Sequence, residues 1–246
     1  MRFLIGIDDT DSPQTGGTGG LAFQLGRLLQ ERTGARLLEV THHQLWRTPL
    51  IPCTTRNTCA CLVLDGETRL RRVLELECRS FLLHQSATGA NAGMALADLA
   101  QVSAAVIAWG SHAKRQALTR KAALELAHQG EVSAAGLTGN GNGVIGSLAA
   151  IGLRAGGNDG RFLWLPGLCE LSGILTFAQL LDRCSFGRVE TMGGRTPQFD
   201  DLIDLGNWVR PLVRSGRSVL LVEESPNPEK SAWRVLHPSR IRQLSE

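Results

Sequence analysis

The chain contains no tyrosine, and its five tryptophans and seven phenylalanines leave few candidates for a platform on which bases could stack. It also contains no C-x-x-C pair. The six cysteines (Cys53, Cys59, Cys61, Cys78, Cys169, Cys184) are scattered, which excludes a zinc ribbon of ordinary spacing and argues for buried thiols rather than disulfide staples. No apolar run approaches the roughly 18 residues that a membrane helix needs. Met1-Arg2 leads into an apolar strand followed by acids, which is not the pattern of a signal peptide. A cytoplasmic protein with no membrane partner is therefore expected. No glycine is followed by Lys-Ser or Lys-Thr, so a P-loop is excluded. Excess positive charge is scarce too. The net charge is only +3, and the small clusters Arg69-Leu70-Arg71-Arg72, Lys114-Arg115 and Arg120-Lys121 read as solvated helix faces, not as a nucleic-acid surface. Internal repeats and low-complexity linkers are absent as well.

What is present is a chain of 246 residues, 43% hydrophobic, enough for one large or two small domains. Its most informative stretch is the first. Phe3 to Ile7 reads as a buried strand, and three carboxylates, Asp8, Asp9 and Asp11, stand where that strand ends. Carboxylates so close repel one another, and a hard cation relieves the repulsion. Mg2+ suits the place, because it favours one or two carboxylates together with substrate phosphate oxygens. A glycine loop follows, Gly16, Gly17, Gly19 and Gly20 with Thr18 in its middle, and runs into the helical pattern Leu21 to Leu29. Glycines let backbone approach a phosphate, and a helix N-terminus favours its charge. Thr18 is placed to cap that helix. The alternative is an ordinary strand-to-helix turn with a solvated acidic lip.

Further along, strands are expected over Arg36 to Leu45, Cys59 to Asp65 and Ala104 to Trp109, with helices over Thr68 to Leu83, Met94 to Gln101 and His112 to His128. The alternation argues for an α/β layer, with a domain boundary at Gly110-Ser111. A small-residue helix, Val144 to Leu153, the strand Phe162 to Leu165 and the helix Leu175 to Cys184 come next. The tail carries loops at Gly193 to Gln198 and Pro226 to Lys230 and strands at Ser218 to Glu223 and Ala232 to Leu236.

Three other places could carry chemistry. Arg56, beside Thr54, Thr55 and Asn57, has the planar fork that grips phosphate, unless it is a loop arginine in water. Gly141-Asn142-Gly143-Val144-Ile145-Gly146 satisfies G-x-G-x-x-G, although the strand expected before it, Glu131 to Ala135, is weak for a dinucleotide site. Of His42-His43, at most one can face a site from a strand.

Ile5-Gly6-Ile7-Asp8-Asp9-Thr10-Asp11-Ser12, the segment Ile51-Pro52-Cys53-Thr54-Thr55-Arg56-Asn57 and the glycine-rich run Gly139 to Gly152 together resemble, in order, three signatures of the archaeal isoleucine-tRNA 2-agmatinylcytidine synthetases. The resemblance covers roughly the first 150 residues. It implies an α/β (α+β) fold, with a kinase-like ATP-binding domain over residues 1–110 followed by a ferredoxin-like domain over 111–185, while the loops and strands of the tail make residues 186–246 a small β-containing C-terminal subdomain. It implies ATP and Mg2+ as cofactors and phosphoryl transfer to a wobble cytidine of tRNA. Asp8, Asp9 and Asp11 would hold the metal, and Thr18 would be the self-phosphorylated residue. Ser12, Gly16, Gly17, Gly19, Arg56, Asn140, Gly141, Asn142 and Gly143 would bind the nucleotide.

The chain departs from the family pattern at Gly19, where a second threonine is usual, and at Asn142, where a basic residue is usual. The C-terminal nucleic-acid-binding barrel and zinc ribbon of the family are expected to be missing. The acceptor is accordingly open: tRNA, a nucleoside or a smaller amine- or hydroxyl-bearing molecule. Two functions of different class follow, an ATP- and Mg2+-dependent enzyme of ligase or kinase type and a non-catalytic nucleotide- or RNA-binding module.

Overall fold

Strand β1 (Arg2–Asp8) is buried from its second residue onward, because the run Phe3 to Ile7 has no polar face to offer solvent and strands flank it on both sides. The computed structural model describes residues 1–11, 17–51 and 56–245. Two compact units divide the chain, Met1–Gly156 and Gly157–Glu246.

In the first unit β1 is followed by α1 (Thr18–Thr33), β2 (Arg36–Gln44), β3 (Thr58–Asp65), a 3-10 turn leading into α2 (Arg71–Gln85), and β4 (Gly93–Asp98). Then come α3 (Ala104–Ala113), α4 (Arg120–Gln129), β5 (Ser133–Gly136) and α5 (Gly143–Gly156). The strands run β5-β4-β1-β3-β2, each antiparallel to its neighbour. The first six regular elements, β-α-β-β-α-β with strand order β4-β1-β3-β2, make the split βαβ arrangement of ferredoxin-like folds.

The two faces of this sheet have separate coverings. Leu4 packs with Cys61, Val63 and Ala95 against Val144, Leu148 and Ile151 of α5. Gly6 makes that contact close, since a methyl there would overlap the Ser147 carbonyl. Phe3, Ile5 and Ile7, also fully buried, alternate to the opposite face. Helix α1 lies there, with Gly26 set so closely over Leu37 and Leu62 that a methyl would sit 2.8 Å from the Leu37 methyls.

Five expectations are corrected. Met94 to Gln101 is not a helix but mainly strand β4, and Ala104 to Trp109 is not a strand but lies in helix α3. All six residues of β4 are buried, so neither period shows in its sequence. In α3 the helix is set by Ser103, whose hydroxyl accepts from the Val106 amide, and by Gly152 of α5, where a methyl would overlap the Val106 carbonyl. The single helix expected over His112 to His128 is the end of α3 and a separate α4, capped by Thr119. The boundary expected at Gly110-Ser111 falls inside α3, and the ferredoxin-like pattern lies in Arg2–Asp98 instead of 111–185. Reading β4 as a helix hides the fourth strand of that pattern.

The second unit holds β6 (Arg161–Trp164), β7 (Ile174–Thr176), α6 (Phe177–Arg183), β8 (Arg188–Glu190), β9 (Leu202–Asp204), β10 (Leu212–Arg214), β11 (Arg217–Glu224), β12 (Trp233–Val235) and α7 (Pro238–Ser245). Its strands run β6-β10-β11-β12-β9-β7, with β8 parallel to β11. Phe162, Phe177, Leu180, Ile203, Val213, Leu220 and Val222 form its core. No helix among the described residues is long and apolar enough to cross a membrane.

Candidate active site

Asp8 closes β1 opposite Gly93 of β4, and Asp9 follows in the left-handed region at φ 50. Aspartate tolerates that conformation better than most side chains. The turn has a consequence: successive residues of an extended strand face opposite ways, whereas here Asp8 and Asp9 line the same cleft, together with Asp11. Asp8 lies against the first turns of α5. A methyl on Gly146 would overlap its carboxylate, and one on Gly143 would lie 2.7 Å from its carbonyl oxygen. These contacts seat the start of α5 closely on the end of β1.

Burial pushes the Asp8 carboxyl well above the usual carboxylate range; a backbone hydrogen bond from Asp9 opposes this, and the nearby Asp9 and Asp11 charges add to it. Burial raises Asp9 as well, against the hydrogen bonds it receives from Asn91. Two acids held this way favour either a proton or a cation.

Asn91 is the residue that sequence reasoning missed. Its Nδ2 donates to Asp9 Oδ2 at 3.3 Å, its Oδ1 accepts from the Asn140 amide at 3.0 Å, and its carbonyl accepts from the Gly143 amide at 2.9 Å. One residue thus ties the acid cluster to the loop before α5. Its position between Gly89 and Gly93 is the available signal, in a stretch that otherwise reads as the opening of a helix.

The amides at the start of α5 are already used. Asn142 N donates to Asn140 Oδ1, Gly143 N to Asn91, Val144 N to Gly141 and Ile145 N to Asn142. This loop therefore offers a ligand the Asn140 and Asn142 side chains, not a nest of backbone N–H groups. It follows β5, but β5 pairs antiparallel with β4, and its glycines serve close packing. The dinucleotide reading of the G-x-G-x-x-G pattern is not supported.

Across the cleft, Asn57 fixes the loop that carries Arg56: its Nδ2 donates to the Trp46 carbonyl at 3.0 Å, and its own carbonyl accepts from the Leu45 amide at 2.8 Å. Arg56 lines the same cleft as the acids, and Leu45, Ile51, Leu118 and Ile145 give this space of roughly 300 Å³ an apolar wall. Trp109 pins α5 by donating from Nε1 to the Ile145 carbonyl at 3.1 Å.

The structure thus brings together Asp8, Asp9, Asp11, Arg56, Asn140, Asn142 and Gly143. Gly141 stands back from the cleft, packed on Gly136. Ser12 and Gly16, with Thr54 and Thr55, lie outside the described residues. Gly17 and Gly19 are not on the cleft wall. Thr18 is not the N-cap of α1, which is Gly17; it is the first helical residue and 4% exposed. Its hydroxyl donates to Asp11 Oδ1 at 3.0 Å and accepts from Thr10 Oγ1 at 3.2 Å. Neither His42 nor His43 lines the cleft; His43 is fully buried, with Nε2 2.9 Å from Thr41 Oγ1. Cys59 and Cys61 are buried in β3, and burial pushes the Cys61 thiol up.

Among the described residues no three His, Cys, Asp or Glu side chains form a metal-holding group. An all-protein cage is therefore not what this site resembles. Asp8 and Asp9, neighbours whose burial raises their affinity for positive charge, fit the other mode, in which a cation shares its shell between one or two carboxylates and phosphate oxygens.

Neither a protein-family model nor a curated protein matches the chain. Solved structures do. Apo TiaS, an agmatidine synthetase acting on an isoleucine tRNA, matches 62% of this chain with TM-score 0.53 and 21% identity. The complex of TiaS with its tRNA and ATP matches with TM-score 0.51 and 24% identity, and a tRNA fluorescent labelling enzyme with TM-score 0.54 and 23% identity, each again over 62% of this chain. The matched part makes up only 35–36% of those chains. At such identities the likeness is one of fold: a substantial part of this chain, comparable in length to the first unit, has a TiaS-like fold.

Proposed function

We propose that the cleft binds ATP together with a divalent cation and activates an acceptor by phosphoryl transfer. The acceptor class is an RNA base, a nucleoside or a small molecule, with tRNA the leading candidate. One observation carries this reading: two carboxylates pushed by burial toward the neutral form, Asp8 and Asp9, meet the Arg56 guanidinium and the asparagines 91, 140 and 142 in one cleft. The TiaS-like fold supports it, since a structure of that fold is a complex with tRNA and ATP.

A Mg2+ ion bound there would neutralise phosphate charge as it is redistributed in the transferring group. Asp8 and Asp9 would hold it, and Asn91 would keep Asp9 turned toward it. Arg56 would grip a phosphate with two parallel hydrogen bonds. Asn140 and Asn142 would donate from their amides, and the apolar wall of Leu45, Ile51 and Ile145 would keep water from the reacting atoms. Phosphoryl transfer asks little else of a protein than positioning and charge neutralisation.

Thr18 enters this reading as the partner of Asp11. A hydroxyl whose proton points at a carboxylate is the arrangement of an activated nucleophile, but its burial away from the cleft wall favours a positioning role. The same burial gives the second reading its support, a nucleotide-binding module that leaves ATP intact. Products decide between them. The purified chain is incubated with γ-labelled ATP and Mg2+, alone, with total RNA and with a nucleoside panel. Release of AMP or ADP that is lost in Asp8→Asn supports the enzyme; ATP bound and recovered whole under every condition refutes it. Label on Thr18, lost in Thr18→Ala, would restore the covalent step.

A further inference from the structure

The second unit carries a groove of its own, roughly 390 Å³, lined by Arg188, Arg214 and Arg217, with Glu190 the one acid among its described lining residues. The register explains how the three arginines meet. Arg214 and Arg217 are directly opposite each other across the β10–β11 hairpin, and Arg188 of β8 stands opposite Val219, two residues from Arg217 on the same face. The tight turn Ser215-Gly216, at φ 49 and 73, closes that hairpin. Like charges directly opposite on a sheet destabilise it. Glu190 reaches Arg188 only at 3.8 Å.

The Arg214 guanidinium is held in place by main-chain carbonyls. It donates to those of Asn158, Val213 and Leu244, which fix its position. Arg188, with 59% of its side chain exposed, and the exposed Arg217 stand beside it. A fixed guanidinium flanked by two solvent-facing ones suits successive phosphates better than a carboxylate or a lone anion.

We infer that this groove binds the phosphate backbone of RNA. The inference rests on the proposed reaction only in choosing RNA over other carriers of phosphate. Free nucleotides share the chemistry, and the test separates them. Fluorescence anisotropy of a labelled single-stranded RNA is measured on the full chain across a salt series, for the wild type, Arg217→Ala and Arg188→Ala. Both substituted positions are exposed, and the variants are checked by thermal melting. Each is expected to weaken RNA binding several-fold and to flatten the plot of log affinity against log salt by about 0.7 per lost phosphate contact. Binding of Mg2+-ATP measured by calorimetry should not change. Unchanged RNA affinity and slope in folded variants overturns the inference, as does a wild type that fails to bind RNA. So does a pattern in which AMP binding falls while RNA binding holds. None of these outcomes touches ATP turnover in the first unit, so the two readings fail separately.

Discussion

Helices α1 and α5 both open on glycine-rich stretches, and both stretches read in the sequence as cradles for phosphate. In the folded chain they do different things. At α5, Gly143 and Gly146 exist because Asp8 and Gly93 lie where side chains would be, and the amides of the first turn are spent on the loop itself. At α1, no described residue lies within 4 Å of where a methyl on Gly17 or Gly20 would go, and the Thr18 hydroxyl bonds Asp11 and Thr10. Glycine at a helix start is thus a signal of two needs, close packing or backbone freedom, and only the neighbours say which.

The comparison can be broken by substitution. The largest effect is expected at the acid that α5 covers. Asp8→Asn should lower ATP turnover by at least about 100-fold, or ~2.7 kcal/mol at 1.36 kcal/mol per decade, while leaving the metal-free protein as stable as before or more so, since an amide has no charge to desolvate. Turnover and thermal melting without metal check the two halves. Next comes Gly146→Ala, which forces a methyl onto that carboxylate. A loss of about 1–3 kcal/mol in denaturant unfolding is expected, and unchanged stability would mean that α5 does not rest on Asp8.

The pH dependence sharpens the same point. Asp8 and Asp9 have raised carboxyl pKa values in the folded chain, so the folded state holds more protons than the unfolded one between the ordinary carboxylate range and those raised values. Their contribution to metal-free stability is complete below that window and falls as pH rises through it. A divalent cation binds the ionised pair, so its stabilising effect should grow with pH over the same window; melting curves with and without Mg2+ test the sign. The smallest effect is expected at α1, where Gly20→Ala should raise stability by ~0.4–1 kcal/mol, because the position is helical and open. A loss there would put α1 under the same packing constraint as α5.

Much of the first unit is legible in its sequence. β1, α1, β2, β3 and α2 can be found because each has an apolar run or a stripe with a polar boundary. β4 and α3 are exchanged for a physical reason: Met94-Ala95-Leu96-Ala97 is buried on both faces and built of good helix formers, while Val106-Ile107 in α3 is β-branched. Where every residue is buried, periodicity carries no information, and propensity points the wrong way. That single exchange displaces the ferredoxin-like pattern. At the site, the acids, Arg56 and the asparagines of the 140 loop are readable as residue types. Asn91 is not, because its importance lies in joining Asp9 to Asn140 and Gly143, residues distant from it along the chain.

Calorimetric titration with a non-hydrolysable ATP analogue, in Mg2+ and then in EDTA, tests the central claim most directly. Binding is expected to need the cation, to release protons near the lower end of the pH window as the metal displaces them from Asp8 and Asp9, and to disappear in Asp8→Asn. Binding of equal strength in EDTA, or in Asp8→Asn, would contradict it and leave the acid cluster as a turn at the end of β1.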